Sequence, residues 1–135
     1  MNGTRRIAYL DASAIVKLLA PEPESVALRT RIAAWPQHAS AAVARTEIVR
    51  ALRRNRLHHR VGAARRLFSH LNLIRIDEPL CDAAGDLDPV SLSSLDALHL
   101  AAAAALGPEL GVFVTYDRRV AQAAASAGFP VESPA

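Results

Sequence analysis

Lysine is nearly missing from this 135-residue chain: fifteen of its sixteen basic residues are arginine, and Lys17 is the exception. That absence argues against a phosphoacceptor signalling domain, a small α/β unit that needs a lysine after a late strand, because Lys17 falls in the first predicted helix. Cysteine is equally scarce. Cys81 alone forms no intramolecular disulfide, and without a Cys/His cluster no structural zinc site is expected; the composition suits a reducing cytoplasm. Long apolar runs are missing too. The longest, Leu100 to Leu106, is too short to span a bilayer, and Arg5-Arg6 precedes only four apolar residues before Asp11, too few for a signal-peptide core. The expectation is a soluble, cytoplasmic protein with no membrane partner. Aromatic residues make up 4%, and Trp35, Phe68 and Tyr116 are too scattered to form a base-stacking platform.

What is present is enough for a core. The length fits one domain over residues 1–135, and 51% hydrophobic residues can close it without staples. The formal charge of +3 and pI near 9.7 are compatible with a polyanionic partner. Genomic base composition explains the arginine skew as readily, so charge alone does not identify nucleic acid.

The chain is organised around Ile7 to Leu19. A short apolar run, read as a strand buried on both faces, stops at Asp11 and gives way to helical spacing over Ser13 to Ala20. Pro21 to Glu24 ends that helix, and Leu28, Ile32 and Trp35 carry a second one up to Pro36. His38 to Ala42 reads as a second strand, Val43 to about Leu57 and Gly62 to Leu71 as helices, and Asn72 to Asp77 as a third strand. Glu78-Pro79 starts a helix, Leu95 to Leu106 forms another closed by Gly107-Pro108, and Val112 to Tyr116 is a strand. A final helix from Asp117 to Ala127 stops at Gly128, before a short edge strand over 129–131. Strands alternating with helices imply a parallel sheet covered on both faces.

Four acids stand out, each with two readings. Asp11 and Asp117 both follow an apolar strand, where α/β sheets form ligand crevices; both are equally well placed to cap the next helix. Ser93 to Asp96 matches a capping box. Yet Leu95 to Leu106 is apolar nearly all round, so it is expected to be buried, and a buried carboxylate at Asp96 is costly unless paired or metal-bound. Glu47 has no capping role, because Ala44 stands where the box needs Ser or Thr; its alternative is an i+3 surface pair with Arg50. His99 reads as a satisfied core histidine. Asp82 and Asp86 read as a solvated face, and Asp77 and Glu78 as helix-start residues.

Leu10-Asp11-Ala12-Ser13-Ala14, Thr46-Glu47-Ile48, Leu95 to Ala101 and Val114 to Arg119 resemble, in order, the motifs of the PIN-domain family, and most nearly its VapC-type toxins of type II toxin–antitoxin systems. The resemblance spans nearly the whole chain. It implies a three-layer α/β fold with a central parallel sheet flanked by helices. It further implies that Asp11, Glu47, Asp96 and Asp117 meet at the sheet's carboxyl edge, with Ser13 and Thr115 as supporting polar groups. The implied activity is that of an endoribonuclease, with Asp11, Asp96 and Asp117 as metal ligands, a cognate antitoxin as partner, and a homodimer. A PIN-like module that binds RNA or protein without cutting is the alternative. Independently of the resemblance, clustered carboxylates are hard oxygen donors suited to Mg²⁺ or Mn²⁺ and to phosphodiester hydrolysis. Arg45, Arg118 and Arg119 flank the acids and are candidates for holding substrate phosphates. For Arg50, Arg53 and Arg54 a solvated basic face is at least as good a reading.

Overall fold

The computed structural model describes residues 4–135. Among them, five strands, β1 (Ile7–Leu10), β2 (Gln37–Ala41), β3 (Asn72–Ile74), β4 (Leu110–Val114) and β5 (Val131–Glu132), form one sheet in the order β3-β2-β1-β4-β5. Every pairing is parallel. The connecting helices are α1 (Ala12–Leu19), α2 (Ser25–Ile32), α3 (Ala44–Arg54), α4 (Val61–Phe68), α5 (Glu78–Gly85), α6 (Ser94–Ala105) and α7 (Arg118–Ser126).

The side-chain period of two divides β1 between two cores. Ile7 and Tyr9 join the layer of α5, α6 and α7, whereas Ala8 and Leu10 join that of α1 to α4. All four are buried, which is why the segment reads as a continuous apolar run. The chain builds outward from β1 through β2 to β3, then returns to place β4 on the other side of β1. This reversal opens a crevice beyond the carboxyl ends of β1 and β4, and Asp11 and Asp117 follow those two strands.

Several boundaries differ from the sequence reading for local reasons. Helix α2 ends at Ile32 rather than near Trp35, its last turn tightening through bonds from Ala34 N to Arg31 O and Trp35 N to Ile32 O, since the residue before a proline avoids helical geometry. Helix α3 ends at Arg54. Arg56 takes a left-handed conformation (φ 59°), and Leu57 N returns to Leu52 O, the bond of a Schellman stop. Helix α4 stops at Phe68 and turns through Ser69 to Leu71. β3 is cut to three residues because its partner β2 runs out at Ala41. Glycine at 111 is demanded by packing: a Cβ there would lie 2.0 Å from a ring carbon of Trp35. The Trp35 indole Nε1 is buried without a hydrogen-bond partner among the described residues, so the ring is held there by packing. No helix among these residues is long and apolar enough to cross a membrane.

Gly111→Ala should lower stability by about 1–3 kcal/mol, the usual cost of overpacking. In a Trp35→Ala background the same change should cost much less. Urea unfolding of the four proteins checks this, and equal penalties in both backgrounds would place the strain elsewhere.

Candidate active site

Asp11 is held where β1 ends, 4% exposed. Its Oδ1 accepts from Ser13 Oγ (2.6 Å) and Ala14 N (3.1 Å), and its Oδ2 from Thr115 Oγ1 (2.5 Å). Of the roughly four lone pairs a carboxylate offers, these take two on Oδ1 and one on Oδ2. Asp11 is the N-cap of α1 at the carboxyl end of β1, and it is not among the residues that line the cavities of Asp96, Asp117 and Glu47. Ser13 Oγ also accepts from Tyr116 N (2.9 Å), and Thr115 Oγ1 accepts from Asp117 N (3.1 Å). The two hydroxyls thus tie the end of β1 to the segment following β4. Burial pushes the Asp11 carboxyl above its usual range; Ser13, Thr115, His99 and the Ala14 amide pull it back.

Asp117 caps α7, its Oδ1 accepting from Arg119 N (2.8 Å) and Val120 N (3.2 Å). Asp96 sits at the third position of α6, where Ser93 Oγ accepts from its backbone N (3.1 Å). The first turn of α6 is not buried as its apolar composition suggested. Leu95 is 44% exposed and Asp96 is half-buried, because the helix enters the core only from Ala97 onward. Asp96 and Asp117 line one cavity of about 400 Å³ together with Ser93, Arg118 and Arg119. Two helix amino ends open into it, and each favours an anion.

Glu47 lines a separate cavity of about 280 Å³, with no lining residue in common with the first, whose walls include Ala12, Arg50, Arg54 and Leu95. Its Oε1 bonds to His99 Nε2 at 2.7 Å, and His99 Nδ1 bonds to Tyr9 Oη at 2.8 Å. Burial raises the Tyr9 phenol well above its ordinary pKa, opposed by the Ser40 hydroxyl and reinforced by Asp11 and Glu47. The Tyr9 hydroxyl and the Glu47 carboxylate thus hold the two ring nitrogens of His99 between them. His99 is the satisfied core histidine expected of it, 1% exposed, and it also positions an acid. No sequence signal joins positions 9, 47 and 99.

The other basic candidates divide. Arg118 and Arg119 lie with the acids, whereas Arg45 stacks its guanidinium over the Phe68 ring, 5.3 Å from the centroid, and lines neither cavity. Asp77 caps α5 through Leu80 N, and Asp82 and Asp86 are exposed. Among the described residues no three His, Cys, Asp or Glu side chains form a ready-made metal cage. Mg²⁺ does not require one, since it is usually held by one or two carboxylates plus waters. Asp96 and Asp117 fit that description by donor type and by sharing a cavity.

His99→Leu strands the Glu47 carboxylate and the Tyr9 hydroxyl and should cost about 1–3 kcal/mol in chemical unfolding. Tyr9→Phe should cost about 1 kcal/mol alone and almost nothing in the His99→Leu background; additive penalties would mean that the two residues are uncoupled. Asp11 makes a separate pH prediction. Folded Asp11 binds its proton more tightly than the unfolded chain, so its contribution to stability falls as pH rises from the ordinary carboxylate value near 4 through its raised pKa. Unfolding free energies in chelator should show wild type losing ground to Asp11→Asn across that window. A gap that moved the other way would contradict the burial of the charge.

Comparison with known proteins agrees with this architecture. A family model for the PIN domain matches residues 8–126. The chain is 47% identical over 126 residues to Ribonuclease VapC46 of Mycobacterium tuberculosis, covering 93% of this chain and 96% of the relative. It is 38% identical over 130 residues to Ribonuclease VapC47 of the same species, with the same coverage. The crystal structure of M. tuberculosis VapC20, described as a sarcin-ricin loop cleaving toxin, superposes with a TM-score of 0.72 at 18% identity, over 90% of this chain and 95% of that one. That last likeness concerns the fold. With a domain match over most of its length and relatives aligned nearly end to end, the chain belongs to the PIN-domain family, among its VapC-type members.

Proposed function

We propose that this protein is a metal-dependent endoribonuclease and the toxin of a toxin–antitoxin pair, hydrolysing RNA phosphodiester bonds at the edge where β1 and β4 end. The observation that carries the reading is the shared cavity of Asp96 and Asp117, with Arg118 and Arg119 in its wall. Carboxylates and arginines side by side suit a phosphodiester held through a divalent cation, and the ribonuclease names of the aligned relatives point to RNA as substrate.

In this reading Asp96 and Asp117 would hold Mg²⁺ or Mn²⁺, with Asp11 contributing from the buried end of β1. Such an ion, when bound, would supply Lewis acidity for activating a water and for offsetting charge on the phosphoryl oxygens. Ser13 and Thr115 fix the Asp11 carboxylate and carry its position to Asp117 through the amide of that residue. Glu47, clamped by His99, accepts the proton of the attacking water. Arg118 and Arg119 orient the substrate phosphate, and Arg50 and Arg54 extend positive charge past Glu47. For partners the reading implies a cognate antitoxin in the cytoplasm, for which exposed Val26 on α2 offers an apolar contact, and a homodimer.

Asp96→Asn should lower metal-dependent cleavage of labelled RNA by about a hundredfold or more. Asp82→Asn, on the exposed face of α5, should cut like wild type. Wild-type activity in the Asp96 variant would remove that residue from the site, and RNA left intact by wild type would favour a non-cleaving binding module. Thermal scans supply a readout free of activity. Metal bound only to the native state, at about ten times its Kd, adds about 1.4 kcal/mol. Asp96→Asn should reduce that rise without lowering the melting temperature in chelator. If the carboxylate served only the amino end of α6, chelated variant would melt lower and its metal response would be unchanged.

A further inference from the structure

We propose that the cavity adjoining the acids along α7 is a subsite for a nucleobase carrying an exocyclic amino group, on the nucleotide next to the cleaved phosphodiester; this rests on the ribonuclease reading. The cavity measures about 680 Å³, within the range of pockets that take small organic groups. It shares Ser91, Leu92 and Arg119 with the cavity of Asp96 and Asp117, so a strand lying over the acids runs into it without leaving the surface.

The charge layout selects what enters. Arg119 stands on the shared wall, where a phosphate belongs, and Asp88 is the only other ionisable residue of the lining. A carboxylate there repels a second phosphate and accepts from an N–H donor. Gln122 and Ser126 follow Arg119 at helical spacing on α7 and line the same wall, which gives the cavity an amide and a hydroxyl at hand for a base edge. Pro89, Leu92 and Ala123 supply an apolar surface for the flat of the ring. Single-stranded RNA is read through such hydrogen bonds to splayed bases. Adenine, cytosine and guanine can give an amino hydrogen to Asp88. Uracil turns two carbonyls towards it beside one N–H, so the subsite discriminates against uracil.

The test uses the full chain with Mg²⁺ or Mn²⁺ and a pool of short RNAs randomised around one position, with the products sequenced. Asp88 and Gln122 are exposed, so Asp88→Ala and Gln122→Ala leave the core untouched. Wild type should disfavour uracil at one fixed offset from the cut by about tenfold, the scale of one good side-chain contact to a base. Asp88→Ala should flatten the preference at that offset and at no other, whereas Gln122→Ala, which removes an amide able to pair with any base, should leave uracil disfavoured there. Wild type that cuts but accepts uracil equally at every offset, or an Asp88→Ala variant that keeps the full preference, would overturn the subsite while leaving the nuclease standing. A pool that wild type leaves uncut overturns the nuclease reading and the subsite together.

Discussion

The structure depends on one constraint: a carboxylate, Asp11, placed almost out of water where the central strand ends. An unpaired charge in that position is too costly to keep, so its surroundings are built to satisfy it. The groups that do so come from both sides of the sheet reversal, Ser13 and Ala14 from α1 and Thr115 from the end of β4. Satisfying Asp11 therefore registers the two strands whose ends form the crevice. The same hydroxyls continue outward, to Tyr116 N and Asp117 N, so the buried acid and the exposed one are parts of a single hydrogen-bonded unit.

A second buried line performs the same service for Glu47. Tyr9 lies on β1, two residues before Asp11, with its ring stacked on Phe113 of β4. Its hydroxyl orients His99 on α6, and His99 holds Glu47 on α3. A helix from each face of the sheet is thereby linked through the core. The partners of Asp11 and Glu47 thus lie towards the interior, whereas Asp96, Asp117, Arg118 and Arg119 line a cavity at the surface. An arrangement of that kind suits an enzyme whose substrate is a large polyanion bound at the surface.

Capping does not by itself exclude an acid from a site. Asp11 and Asp117 each cap a helix with one oxygen, because a strand that turns into a helix delivers the cap residue to the sheet's carboxyl edge. Asp96 stays at the surface for a different reason. Burial in α6 begins only at Ala97, so composition averaged over the helix misjudged its first turn.

From the residues alone came the α/β alternation, the buried first strand, and the acids that end β1 and β4, because these rest on local patterns of apolar spacing and capping. The motif order resembled one family, and the folded chain has that family's architecture. Strand order was not legible, since nothing local states that β4 returns beside β1. Nor was the pairing of Glu47 with His99 in place of Arg50, or the turn of Arg45 onto Phe68. Those choices join groups far apart in the sequence, and they are decided only when the fold brings each side chain within reach of its partner.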